Sequence, residues 1–182
     1  MSSHPADARY RVASASDADA IAALHADSWR RHYRGAYLDS YLDGDVGADR
    51  LRTWRDRLAH RRPDHVTIVA EIDDVVVGFA HTILDLHPQW GALLENLHVT
   101  HTLKGHGIGT RLMAASAEVV LISSPGTGIH LTVLAQNTAA QGFYQARGGT
   151  CVEERLGGPF PGGGRAPVFC YAWPDPRVLT GT

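Results

Sequence analysis

A chain of 182 residues and 19.7 kDa with 44% hydrophobic residues has the size of one domain, burying about 70% of its unfolded surface. Its 17 basic and 19 acidic residues give a formal net charge of −2, which excludes the broad basic face of a counterion-driven nucleic-acid binder. No apolar run approaches the ~20 residues of a membrane span, residues 1–9 lack the apolar core of a signal peptide, and two cysteines are too few for a disulfide framework. A soluble cytoplasmic protein is the expectation, with 19 glycines and 11 histidines as the biases to be explained.

In chain order, residues 1–8 read as a flexible N-terminus, residues 9–173 as a single domain and residues 174–182 as a tail. Residues 9–13 make a short strand. Ser14 or Ser16 can cap a helix that starts at Asp17. Ile21, Leu24, Ser28, Trp29 and His32 carry that helix at helical spacing to about Arg34. Gly35 and the aromatic run 37–41 break or bend the chain, and Leu51, Trp54 and Leu58 mark one face of a second helix. Residues 65–72 and 75–84 switch to period two around the turn Asp73-Asp74, a hairpin. A strand at 93–99 precedes a helix marked by Ile108, Leu112, Ala115, Val119 and Ile122 and closed by Pro125-Gly126. Then come a strand at 129–135 and a helix at 137–147 that ends at Gly148-Gly149. The last strands, 150–156 and 167–173, flank a glycine-rich loop at 157–164 that reads as a mobile segment. This order predicts an α/β (mixed α+β) domain with a mixed sheet flanked by helices.

The stretch with most chemical content runs from Leu97 through His98 and Val99 to Lys104-Gly105-His106-Gly107-Ile108-Gly109-Thr110. It reads as strand, loop, glycine cluster and helix. Glycines let a backbone approach a ligand closely, and N–H groups at a helix start form an anion site. The cluster is no P-loop, and Leu112 stands where a dinucleotide-binding turn needs its third glycine. A plain strand-to-helix turn explains the glycines equally well.

Lys104-x-x-Gly107-x-Gly109 after the strand Leu94–Val99 resembles the acetyl-CoA signature of the GNAT N-acetyltransferases, Arg/Gln-x-x-Gly-x-Gly/Ala, with Lys104 in place of Arg or Gln. Asn137, Ala140, Phe143, Tyr144 and Gly148 match the family's second block, Asn-x-x-Ala-x-x-Phe-Tyr and a following glycine. Gly142 and Gly149 depart from the pattern. The resemblance spans residues 9–173 by element order. It implies a mostly antiparallel twisted sheet of about seven strands flanked by four helices, and acetyl-CoA as co-substrate without a metal. It also implies direct attack by a primary amine of a small molecule or peptide, with no acyl-enzyme.

By the same resemblance, Glu95 is the candidate base and Tyr144 the candidate acid that protonates the CoA sulfur. Such an amine, with a pKa near 10.4, arrives protonated, whereas a phenol near 10 holds a proton to donate. Leu97, His98, Val99, Lys104, Gly105, His106, Gly107, Ile108, Gly109, Thr110, Asn137 and Tyr144 are the implied cofactor contacts. Main-chain N–H groups at a bulge over 97–99 would meet the oxyanion. Trp29, Tyr33, Tyr37 and Phe160 are acceptor-side candidates, with a core role for Trp29 the competing reading. Glu95 could equally be a salt-bridged surface group, Tyr144 a core residue and Asn137 a helix cap. His98 could act as base in place of Glu95. His98, His101 and His106 lack metal-ligand spacing, and Cys151 and Cys170 read as small strand residues. A monomer or homodimer is expected, without nucleic-acid or membrane partners. The alternatives are a non-catalytic acyl-CoA-binding module and a transferase of another acyl group.

Overall fold

A computed structural model describes residues 7–181; the flexible segment assigned to 1–8 lies almost wholly outside the described residues. Seven strands form one sheet in the order β1-β2-β3-β4-β5-β7-β6. They are β1 (Arg9–Val12), β2 (His65–Ile72), β3 (Val75–His87), β4 (Gly91–Val99), β5 (Ile129–Leu134), β6 (Thr150–Gly157) and β7 (Ala166–Trp173). Every neighbouring pair is antiparallel except β4 and β5. The helices are α1 (Ala18–His32), α2 (Asp39–Asp43), α3 (Val46–Ala59), α4 (Ile108–Ser123), α5 (Thr138–Gln145) and α6 (Arg177–Thr180). The mixed sheet therefore stands as expected, with six helices rather than four among the described residues.

The two extra helices have separate causes. The aromatic run expected to break or bend the chain leads into α2, whose Tyr41 and Leu42 are buried. Within the segment read as a tail, α6 docks Leu179, 2% exposed, into the cluster beneath α4. The lone apolar pair Val178-Leu179 in so short a segment has no periodicity, so the sequence pattern carried no sign of this packing.

Alternation in the strands sends side chains to two cores. Ile68, Ala70 and Ala80 face α4, where they meet Ile108, Leu112, Met113, Ala117 and Val120. Val69 and Phe79 face the other way, onto Ile21 of α1 and Trp54 and Leu58 of α3. Ile122, placed on the buried face of α4 by its spacing, is 82% exposed because the buried stripe runs through Val120 instead. A third cluster joins α1 and α2 to β5 and β7 through Trp29, Tyr37, Tyr41, Leu134 and Val168.

Local signals fix the element ends. Ser14 and Asp17 form a capping box before α1. Asp73 and Asp74 both take positive φ, the conformation of a two-residue hairpin turn between β2 and β3. The parallel pairing of β4 and β5 extends over only two residue pairs, Ala92 with Ile129 and Leu93 with His130. Beyond them the strands diverge, and the gap between them is the structural basis of the site.

Candidate active site

The diverging strands open a cavity of about 470 Å³. One wall is Leu94, Glu95, Leu97, His98 and Val99 of β4, and the opposite wall is residues 131–134 of β5. The turn before α4 and one face of α5 close the far side, and Ser28, His32 and Tyr33 enter from α1. The two motif blocks, separated in sequence by β5, thus face each other across one space.

The anion cradle follows from local geometry. Gly105 and Gly107 hold φ of +84° and +82°, and Gly107 caps α4 in the left-handed conformation. A β-carbon at either would meet nothing within 4 Å, so glycine is required there for backbone conformation and not for lack of space. The 16-residue α4 directs its unpaired N–H groups and positive dipole end toward this turn. Lys104 and Arg147 add two cations. Lys104 Nζ lies 2.7 Å from His32 Nε2, linking the turn to α1, and burial lowers its pKa.

Most implied cofactor contacts line the cavity: Leu97, His98, Val99, Lys104, Gly105, Gly107, Gly109, Thr110, Asn137 and Tyr144. Two do not. Ile108 is 1% exposed in the main core, and His106 is exposed, with Nδ1 3.1 Å from the Lys104 carbonyl. The β4 bulge also lies earlier than expected. The pairing shifts at Glu95, while residues 97–99 pair regularly with β3. Since β5 has already separated from β4 there, alternate N–H groups of residues 97–99 face the gap.

Glu95 is the one acidic residue among those lining the cavity. Arg57 reaches both its oxygens, at 2.5 and 3.3 Å, and the Asn96 amide donates to Oε2 at 2.8 Å. These bonds fix the carboxylate in place at the cavity edge. His98 is buried, with Nδ1 2.8 Å from Ser28 Oγ. Burial, with Lys104 and His32 nearby, pushes its pKa down to about 3, so it is neutral near pH 7. Beside it, His25 Nδ1 accepts from Trp54 Nε1 at 2.9 Å. An indole only donates, so neutral His25 carries its proton on Nε2.

Tyr144 lies on the α5 wall, with its ring 6.0 Å from Tyr171 and 6.2 Å from Trp173. Burial raises its pKa well above the ordinary phenol value. Asn137 plays the cap role, its Oδ1 accepting from Ala140 N at 3.2 Å, and also lines the cavity.

Of the acceptor-side aromatics, only Tyr33 reaches the cavity. Trp29 and Tyr37 are core residues, and Phe160 stacks on Tyr37 at 4.7 Å. The loop at 157–164 is packed rather than free. Gly164 has no room for a β-carbon, which would stand 2.7 Å from the Ala36 carbonyl, and one at Gly162 would overlap Tyr41. Arg147, Ser28, His32 and Thr132 are cavity residues the sequence reading missed. Arg147 follows an α5 motif without belonging to it, so only its place after Tyr144 could have pointed to it.

Among the described residues no cluster of histidine, cysteine or acidic side chains could hold a metal ion. Among the same residues no helix is long and apolar enough to cross a membrane. Both cysteines are free thiols on the paired strands β6 and β7.

Comparison with known proteins bears on this geometry. The family model described as the acetyltransferase (GNAT) family matches residues 23–149. A Mycobacterium tuberculosis protein named "Probable N-acetyltransferase" is 29% identical over 147 residues, 79% of this chain and 80% of that protein. Among solved structures, the PaiA N-acetyltransferase of Thermoplasma acidophilum, in complex with coenzyme A, superposes with a TM-score of 0.69 at 18% identity. That match covers 92% of this chain and 99% of PaiA. An N-acetyltransferase from Staphylococcus aureus gives 0.69 at 19% identity, over 93% of this chain and 99% of that one. The match takes in both motif blocks and the strand between them, and the chain belongs to the GNAT acetyltransferase family.

Proposed function

We propose that this chain moves an acetyl group from acetyl-CoA to a primary amine of a small molecule or peptide, by direct attack with both substrates bound. The observation that carries the reading is the cavity itself. The glycine turn, Glu95 and Tyr144 come from three separate elements and line one continuous space. The family and the coenzyme A in the PaiA complex support the same reading.

The cradle suits the anionic half of the co-substrate. Gly105, Gly107 and the start of α4 receive the pyrophosphate, and the gap between β4 and β5 takes the pantetheine arm. Alternate N–H groups of residues 97–99 receive the carbonyl oxygen as negative charge develops on it. Glu95 takes the proton from the amine, directly or through one water. His98, held neutral, accepts a hydrogen bond from the amine but does not store its proton. As the C–S bond breaks, Tyr144 gives its proton to the sulfur, and its raised pKa keeps that proton in place until then.

Thermal unfolding with and without acetyl-CoA tests the first half of this reading. A ligand that binds only the folded state at a hundred times its Kd adds about 2.7 kcal/mol, a rise of several degrees in Tm. No shift at saturating acetyl-CoA overturns the proposal.

A further inference from the structure

We propose that Lys104 is itself an acetylation site, its Nζ accepting the acetyl group from acetyl-CoA bound in the same cavity when no acceptor amine is present. The inference rests on the acetyl-CoA reading above and goes beyond it by assigning a modification site to the chain's own side chain.

The first observation is compositional. Of the 17 lysines and arginines in the sequence, Lys104 is the only lysine. A guanidinium stays charged at neutral pH, whereas a lysine can release its proton and attack a carbonyl. Arginine would serve the cradle as a cation at least as well, because its planar fork matches phosphate oxygens. The one side-chain amine of the sequence thus stands in the cavity proposed to take acetyl-CoA.

The second observation is placement. Lys104 is exposed, open to ligand and solvent, and lines the cavity together with His98 and Tyr144. Its flexible four-carbon stem lets Nζ approach a thioester held there. Nζ lies 2.7 Å from His32 Nε2. An ammonium only donates, so neutral His32 offers the lone pair of Nε2 and can take a proton from the amine. Lys104 and His32 also border a groove along α1 that contains Asp27, but Asp27 pairs with Arg31 at 2.7 Å. Partial burial of the lysine, with Arg31 nearby, lowers its pKa and raises the share of neutral amine.

The neutral Nζ attacks the thioester carbonyl carbon, an N–C bond forms and the C–S bond breaks. Nitrogen loses one proton to His32 Nε2. The departing sulfur takes one from Tyr144, which is restored from His32 through solvent. The products are an acetamide on Lys104 and free CoA. The modified side chain is neutral, so the cradle loses one of its cations.

Incubation of the full chain with saturating acetyl-CoA and no other amine tests the proposal, read by intact mass and by peptide mapping around Lys104. The wild-type chain should gain one acetyl group at Lys104, with a rate constant independent of protein concentration, and Lys104→Arg should lose that gain. His32→Leu should slow it at least about tenfold. A urea-unfolded chain, which reports chemical acylation alone, should react at least about tenfold more slowly, because binding supplies the effective concentration. The proposal is overturned by an unmodified Lys104 in a chain whose Tm acetyl-CoA raises, by equal rates in folded and unfolded chain, or by a rate constant that rises with protein concentration. An unchanged rate in His32→Leu overturns the proton transfer to His32. A chain whose Tm acetyl-CoA does not raise overturns the acetyl-CoA reading along with it.

Discussion

In the proposed mechanism Tyr144 and His98 do different work, and single substitutions separate them. Tyr144→Phe removes the proposed proton donor but keeps the ring among Phe143, Tyr171 and Trp173. We expect kcat to fall by about 10²–10⁴ and the Kd for acetyl-CoA to stay within about twofold. A kcat near wild type would assign the proton to another group. His98 gives a second test. Since its pKa is pushed down to about 3, it does not titrate between pH 6 and 8. His98→Gln, which keeps a hydrogen-bond acceptor, should then show a pH–rate profile parallel to wild type over that range. Profiles that diverge below pH 7 would mean His98 carries the proton. The cavity positions of Glu95 and Tyr144 were legible in the sequence because each sits at a fixed offset in or beside a motif. Trp29 and Tyr37 were not, since an aromatic at helical spacing looks the same whether it lines a pocket or stacks in a core.

Among the elements, β4, α4, β5 and α5 were legible because strand alternation, helical spacing and glycine stops agree along 93–149. The bulge at Glu95 escaped, because only pairing with β3 reveals which residue is left over. The packed loop at 157–164 escaped for a related reason: glycines chosen for close approach to Tyr41 and Ala36 look like glycines chosen for flexibility. Helix α6 is the clearest case, since a single buried leucine holds it. Leu179→Ala should cost about 2–5 kcal/mol of stability, measured by urea denaturation, because Leu179 fills the space beneath α4. A loss below about 0.5 kcal/mol would show that the segment contributes as a surface tail does.

For the whole molecule, the histidines acquire a physical meaning. His25, His81 and His98 are buried and their pKa values lowered, those of His81 and His98 to about 3. In the unfolded chain each titrates near 6.5. Below that value the unfolded state binds more protons than the native state. The stability these groups support is therefore complete above pH 6.5 and is lost as the pH falls toward 3. Each contributes up to about 1.4 kcal/mol per pH unit over that window. Urea midpoints should drop steadily from pH 6.5 to 5, and less steeply in His81→Gln. A flat profile would contradict neutral burial.

The central claim is that the groups brought together between β4 and β5 carry out acetyl transfer to an amine. The most direct measurement is acetyl-CoA turnover against a panel of primary amines spanning small molecules and peptide N-termini, following thiol release and the mass of the acceptor together. Thiol release should be matched one-to-one by an N-acetylated amine for at least one acceptor class, with both signals reduced together in Tyr144→Phe. Saturable acetyl-CoA binding with no acetylated amine from any acceptor would contradict it and leave the chain a binding module on the same scaffold.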